Sequence, residues 1–194
     1  MTAPSPRHDA DEACLGAFQE ELDYVHRTIK RLGAAPADVD DLMQDVFLAL
    51  RGSWNRCDRS RPLRPYLFGI AFRVVSAHRR KRRREIPFGI IDLPDQHADL
   101  DDGVQSREAR HLVLAALERI PLRRRAVLIM YELDDVPVAE VAAALKIPRF
   151  TVYSRLRKAR RELASALRRM IQGRDVGWRS FFEDHPLGTL ACSS

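Results

Sequence analysis

Residues 136–161 read VPVAEVAAALKIPRFTVYSRLRKARR. Val138, Val141, Ala142 and Leu145 recur at a helical period before Lys146-Ile147-Pro148 interrupts it. Pro148 suits the first position of a new helix, where no amide hydrogen is required. Val152, Leu156, Ala159 and Leu163 then supply the apolar seam of a second helix. Around that seam stand Arg149, Thr151, Tyr153, Ser154, Arg155, Arg157, Lys158, Arg160 and Arg161. Two helices joined by a tight corner, the second strongly cationic, form the pattern of a helix-turn-helix. One helix braces, and the next offers its N-terminal end to a DNA major groove. Arginines near that end reach guanine edges, and those further along meet phosphates. A solvated basic helix on an ordinary bundle is the plainer reading of the same charges.

The charge distribution outside this stretch points the same way. The 194 residues carry 33 Lys+Arg against 27 Asp+Glu, a net charge of +6. Residues 79–84, RRKRRR, form one cationic block, and residues 149–169 hold another. Between them, residues 86–106 contain five aspartates and no Lys or Arg. Two basic modules separated by an acidic connector suggest two contacts on a polyanion. No apolar run approaches the roughly 18 residues of a membrane span, and MTAPSPRHDADE offers no signal-peptide core. Cys14, Cys57 and Cys192 are far apart in sequence and odd in number, which argues against a disulfide scaffold or clustered zinc and fits a reducing cytoplasm.

In the first half, residues 1–10 are expected to lack structure. Cys14, Phe18, Leu22, Val25, Ile29 and Leu32 trace one side of a long helix that Gly33 ends. Pro36 opens the next, with Asp38, Asp40 and Asp41 near its positive end and Val39, Leu42, Val46 and Leu50 facing inward. Asp38, Asp41 and Asp45, with Gln44 beside them, lie on a neighbouring side. Paired acids raise metal or hydrolytic chemistry, but no histidine, glutamate or hydroxyl nearby completes a catalytic set. A solvated acidic face and a protein-docking face are the remaining readings. Residues 53–63 read as a loop with three arginines and an exposed Trp54. Residues 64–84 read as a helix with Leu67, Ile70, Ala71, Val74 and Val75 inward; Tyr66, Phe68 and Phe72 fit either a core or base stacking. After the connector, a helical block starts near Ser106, with a face of Ala109, Leu112, Val113, Ala116, Leu117 and Ile120. A short helix over 124–133 leads into the organising stretch.

Three segments together resemble the sigma-70 superfamily, specifically the small extracytoplasmic-function (ECF) sigma factors of bacteria. ADVDDLMQDVFLAL (residues 37–50) and RPYLFGIAFRVVSAHRRKRRR (64–84) are similar to region 2. LERIPLRRRAVLIMYELDDVPVAEVAAALKIPRFTVYSRLRKARREL (117–163) resembles region 4. The resemblance implies an all-α fold: two small helical domains joined by a flexible linker, the second containing the helix-turn-helix. Region 2 is expected over 11–85, an acidic linker over 86–105, region 4 over 106–172, and a tail of unassigned role over 173–194.

The resemblance also implies function and site residues. The chain is expected to be a non-enzymatic, cytoplasmic sigma factor that directs bacterial core RNA polymerase to promoter DNA and assists its opening. An anti-sigma factor is an expected partner; no cofactor, metal or stable membrane insertion is implied. Asp41, Gln44 and Asp45 would face the polymerase clamp. Arg59, Ser60 and Arg61 would lie where an extruded base is held, with Arg73, His78, Arg79 and Arg80 beside the melted −10 segment. Arg149, Phe150, Thr151, Ser154, Arg155, Arg157 and Lys158 would lie in or beside the −35 groove. A conventional helix-turn-helix regulator is the alternative, and it leaves the first domain's acidic face unused.

Departures from the family pattern fall at telling positions. Phe150-Thr151-Val152 stands where glycine commonly precedes threonine, implying apolar contact with thymine methyls or the sugar backbone. Lys146 occupies a corner often held by glycine and would bear strain if its backbone stays left-handed. Tyr66 replaces a frequent tryptophan, and Phe72-Arg73 a frequent arginine-asparagine pair, which blurs which −10 bases are read.

Overall fold

The computed structural model describes residues 6–85 and 104–171. Contacts divide the chain into two compact units, Met1–Pro94 and Asp95–Ser194. Among the described residues all regular structure is helical. The expected tail and all but the end of the expected linker lie outside the described residues.

The first unit holds α1 (Pro6–Glu20), α2 (Leu22–Arg31), α3 (Val39–Ser53) and α4 (Leu63–Glu85). The single helix expected over 11–32 is two helices, and the first begins inside the stretch expected to lack structure. The break is at Glu21, whose backbone leaves helical geometry at φ −110°, ψ 12°. It lets α1 pack on α3 while α2 packs on both α3 and α4. Phe18 of α1 meets Phe47 of α3 with ring centres 5.2 Å apart. Asp11 accepts a two-pronged bond from Arg51 at 2.9 and 2.6 Å, and Glu21 receives Arg64 of α4 at 2.8 Å. These exposed pairs add only tenths of a kcal/mol to about 1 kcal/mol each; the apolar interior of Val25, Ile29, Leu42, Val46, Leu50, Leu67, Phe68 and Ile70 does more. Phe68, ambiguous in sequence, is fully buried. Tyr66, Phe72 and Val74 are half-buried.

Trp54 corrects the sequence reading. Expected to be exposed in a loop, it is only 6% exposed. The turn Trp54–Arg56 prolongs α3, so Trp54 continues the spacing of Val46 and Leu50 and falls on the same inward face. Arg59 covers its ring at 5.0 Å.

The second unit holds α5 (Val104–Glu118), α6 (Leu122–Leu128), α7 (Val138–Leu145) and α8 (Arg149–Ile171). A wider turn, Ile129–Leu133, extends α6. The central helix is α8, which packs against α5, α6 and α7. Its buried seam is Val152, Leu156, Ala159, Leu163 and Leu167; Val138, read as inward on α7, is half-buried. Arg125 is fully buried, and its Nη2 donates to the carbonyls of Glu118 at 2.5 Å and Ile120 at 3.2 Å. It thereby satisfies the last carbonyl of α5 and one in the turn that follows.

The corner between α7 and α8 turns on Lys146, whose backbone is left-handed at φ 53°, ψ 50°. The Ile147 amide reaches back to the Ala142 carbonyl at 3.0 Å, and the Lys146 amide to that of Ala143 at 3.3 Å. Gly33 ends α2 the same way at φ 83°, with Ala34 bonded to Ile29 at 3.3 Å and Gly33 to Lys30 at 2.8 Å. These are reciprocal closures by a left-handed residue, easy for glycine and strained for lysine. A Lys146→Val substitution should therefore lower stability by about 1 kcal/mol or more, while Lys146→Gly should preserve or raise it. Denaturant unfolding of the full chain, followed by helical ellipticity, checks both; a destabilised glycine variant would contradict the strain at this corner.

Candidate nucleic-acid and protein-docking surfaces

Every polar residue of the outward side of α8 follows from the burial of its seam. With Val152, Leu156 and Ala159 turned inward, Phe150, Ser154, Arg157 and Arg161 fall on the opposite side, all exposed. Arg149 and Lys158 are also exposed, Thr151 half-buried. Arg149, Arg157, Lys158 and Arg161 form no ion pair among the described residues. The helix dipole adds partial positive charge at the same N-terminal end. Arg155 differs: it sits half-buried on the flank, and burial, then the neighbouring Arg123 charge, lowers its pKa. The surface is suited to an anionic duplex, with Arg155 at its margin rather than at its tip.

Two ion pairs engage the flanks of α8. Arg160 bonds Glu132 at 2.7 Å through Nε, and Glu162 takes a two-pronged bond from Arg124 at 2.8 and 2.6 Å. Both pairs tie α8 to α6 and its extension. They hold α8 at a fixed roll and leave the outer cations unpaired among the described residues.

In the first unit the −10 candidates separate into two kinds. Arg59, Arg61, Arg73 and Arg80 are exposed. Ser60 is exposed too, but its hydroxyl donates to Asp58 at 2.6 Å and its amide at 3.0 Å. The hydroxyl bond first, then the amide, holds the Asp58 carboxyl below the usual carboxylate range. His78 and Arg79 are half-buried. His78 Nε2 lies 3.0 Å from Asp38, which also receives Arg82 at 2.9 Å, and Arg79 donates to the Leu32 carbonyl at 3.3 Å. These contacts fasten α4 to the end of α2 and the start of α3. Burial pushes both the Cys14 and Cys57 thiols up, away from thiolate chemistry.

The acidic candidates Asp41, Gln44 and Asp45 are all exposed on α3, on the side away from Leu42, Val46 and Leu50. Leu48, 51% exposed, stands on the same ridge, three residues beyond Asp45 and seven beyond Asp41. Sequence reasoning missed it; its offset from the Leu42-Val46-Leu50 spacing was the available signal. A ridge of acids with an apolar centre has the make-up of a protein-docking face. Of the acids, Asp38 turns instead to His78 and Arg82.

Residues 17–85 match the family described as Sigma-70 region 2, and residues 110–163 match Sigma-70, region 4. The chain is 31% identical over 144 residues to the RNA polymerase sigma factor NccH of Alcaligenes xylosoxydans xylosoxydans, across 71% of this chain and 77% of that protein. This chain belongs to the sigma-70 family. Within it, the ECF RNA polymerase sigma factor SigM of Mycobacterium tuberculosis is 27% identical over 150 residues, spanning 77% of this sigma factor and 74% of SigM. The sigma factor RpoE of Bartonella quintana, solved in complex with the anti-sigma factor NepR, shares its fold with a TM-score of 0.66 at 20% identity, over 77% of this chain and 95% of that one. The matches place the sigma factor in the extracytoplasmic-function group.

The bonds of His78 and Arg79 generate a separation. Arg79→Ala should destabilise the first unit by about 1 kcal/mol and His78→Ala by a similar amount, whereas Arg73→Ala and Arg80→Ala should stay within about 0.5 kcal/mol of the parent. Thermal unfolding measured beside promoter opening tests this: loss of opening by Arg79→Ala with unchanged stability would assign Arg79 to DNA instead.

Proposed function

We propose that this sigma factor works as the promoter-specificity subunit of bacterial RNA polymerase, with its tasks divided between the two units. The observation that carries the reading is the presence, on one chain, of a region 2 unit with an exposed acidic ridge and a region 4 unit with an unopposed cationic recognition helix. On this reading Asp41, Gln44 and Asp45, joined by Leu48, dock on the core enzyme through charge complementarity and an apolar centre. Arg59, Ser60 and Arg61, with Arg73 and Arg80, hold the opened −10 strand, and His78 and Arg79 brace the helix that carries them. The outer face of α8, from Arg149 and Phe150 through Thr151, Ser154, Arg157 and Lys158, enters the −35 groove, with Arg155 against its edge.

The mechanism follows from what each unit can do. The α8 face grips a duplex through groove and phosphate contacts and has no means of opening it. The first unit's loop between α3 and α4 and its basic helix capture single-stranded bases, offsetting an unstacking cost of a few kcal/mol. Neither contact needs high affinity alone, because docking both units on one polymerase raises the effective concentration of the second. The chain acts by binding and not as an enzyme, and its work is cytoplasmic, where polymerase meets DNA. Among the described residues no helix is long and apolar enough to cross a membrane. By analogy with the RpoE–NepR pair, an anti-sigma protein that covers the polymerase-facing surfaces is its regulator.

The purified chain should bind core polymerase and start transcription at a promoter selected from a randomised −10/−35 library. Asp41→Lys or Asp45→Lys should weaken core binding by tenfold or more while leaving duplex binding by α8 intact, and Arg149→Ala should do the reverse. Core-binding titrations and footprinting on the same variants separate the two. Tight DNA binding with no affinity for core polymerase would favour a conventional helix-turn-helix regulator.

A further inference from the structure

The first two turns of α8 carry two aromatic side chains that the fold does not use. Phe150 is 74% exposed and Tyr153 61%. Among the described residues of the second unit, these are the large apolar side chains left in solvent. The seam of Val152, Leu156 and Ala159 faces the other way, so neither ring contributes to the core. Three residues apart, the two rings stand as neighbours on the helix surface.

An aromatic side chain carries on the order of 150–250 Å² of surface, and two exposed side by side form an apolar patch of the kind that marks contact with a partner. The chemistry around the rings says which partner. Arg149 precedes them, Ser154 and Arg157 follow, and no carboxylate of α8 stands near; the nearest, Glu162, is turned to α6 and bonded to Arg124. The fitting surface is therefore polyanionic yet offers apolar points between its charges. A DNA major groove is such a surface, because each A·T pair presents the thymine 5-methyl group there. Phe150 lies midway round the outward side, directly opposite the buried seam and in line with Ser154 and Arg157. That is the ridge that enters deepest, where base edges rather than sugars are met. Tyr153 lies about 60° round the helix, over an adjoining base step.

We propose that Phe150 and Tyr153 read thymine methyl groups in the −35 element, so that part of this sigma factor's promoter choice is made by apolar contact instead of hydrogen bonds. The proposal rests on α8 being the −35 helix. It gives Tyr153 a recognition role and assigns Phe150 to bases and not to the sugar backbone.

The test exchanges thymine for deoxyuridine, which removes only the methyl group. The full chain, assembled with core polymerase, selects a promoter from a library randomised over the −35 element. Duplexes of that sequence are then made with each −35 thymine replaced in turn, and affinities are measured by fluorescence anisotropy. The parent should lose about fourfold at one or two positions, equivalent to about 0.8 kcal/mol for one buried methylene-sized group. Phe150→Ala should bind the thymine and deoxyuridine duplexes alike at one of those positions, and Tyr153→Ala at its neighbour. Both side chains are exposed, so unchanged helical ellipticity confirms that the variants fold. A selected element lacking thymine, a parent indifferent to every replacement, or a penalty undiminished in both variants would overturn the inference while leaving promoter recognition standing. Failure of the assembled complex to select any −35 sequence would overturn the reading of α8 itself.

Discussion

The angle at which α8 leaves α7 is set by one residue held against its backbone preference. Lys146 takes a left-handed conformation so that Ile147 and Lys146 can return their amides to the last turn of α7. Pro148 then starts α8 without requiring an amide partner, and both the Thr151 and Val152 amides bond its carbonyl, at 2.9 and 3.2 Å. Turn this corner differently and the seam of α8 no longer meets α6, so Phe150 and Arg149 lose their place at the tip. The outward geometry of α8 is thus a consequence of a backbone constraint at the corner that precedes it.

Packing then decides which charges are available. A helix as basic as α8 repels itself, since like charges three and four residues apart are mutually unfavourable. The fold resolves this in part. Arg160 pairs with Glu132 and Glu162 with Arg124, Arg155 beside Arg123 does not pair among the described residues, and Arg157 and Arg161 stay exposed on the outward side. A comparable sorting operates in the first unit, where α4 commits His78 and Arg82 to Asp38 but leaves Arg73 and Arg80 in solvent.

The sequence disclosed what depends on local periodicity. The seams of α3 and α8, the stop at Gly33 and the start near Pro36 were legible, because each follows from a few neighbouring residues; the left-handed corner at Lys146 was raised only as a condition, through the family resemblance. What escaped it depends on partners distant in sequence. The break at Glu21 interrupts an unbroken apolar period, and the packing of α1 on α3 that it allows is tertiary. Trp54 falls in the stretch 53–63 read as a loop, whereas the extra turn keeps it in register with Leu50. Arg125 was hidden among the arginines of LRRR, and nothing local distinguishes the buried one. For the candidate site, the cations on α8 were legible as a set, but not that Arg155 sits on the flank or that Tyr153 joins Phe150. The bonds of His78 and Arg79 span 40 and 47 residues and leave no trace in a linear reading.

The ion pairs on the flanks of α8 have a consequence for approach as well as for structure. With Glu132 and Glu162 engaged by Arg160 and Arg124, the outward side of α8 keeps Arg157 and Arg161 as unpaired charge among the described residues. On the proposed −35 role, such a helix in the field of a duplex would feel a torque as well as a pull and would roll its outer side toward the phosphates before touching them. Screening confines this to the last Debye length, about 8 Å at physiological salt, so the rotation happens only in the final step of encounter. Orientation would then be largely settled on arrival, and what remains for the bases is to accept or refuse a helix already facing them.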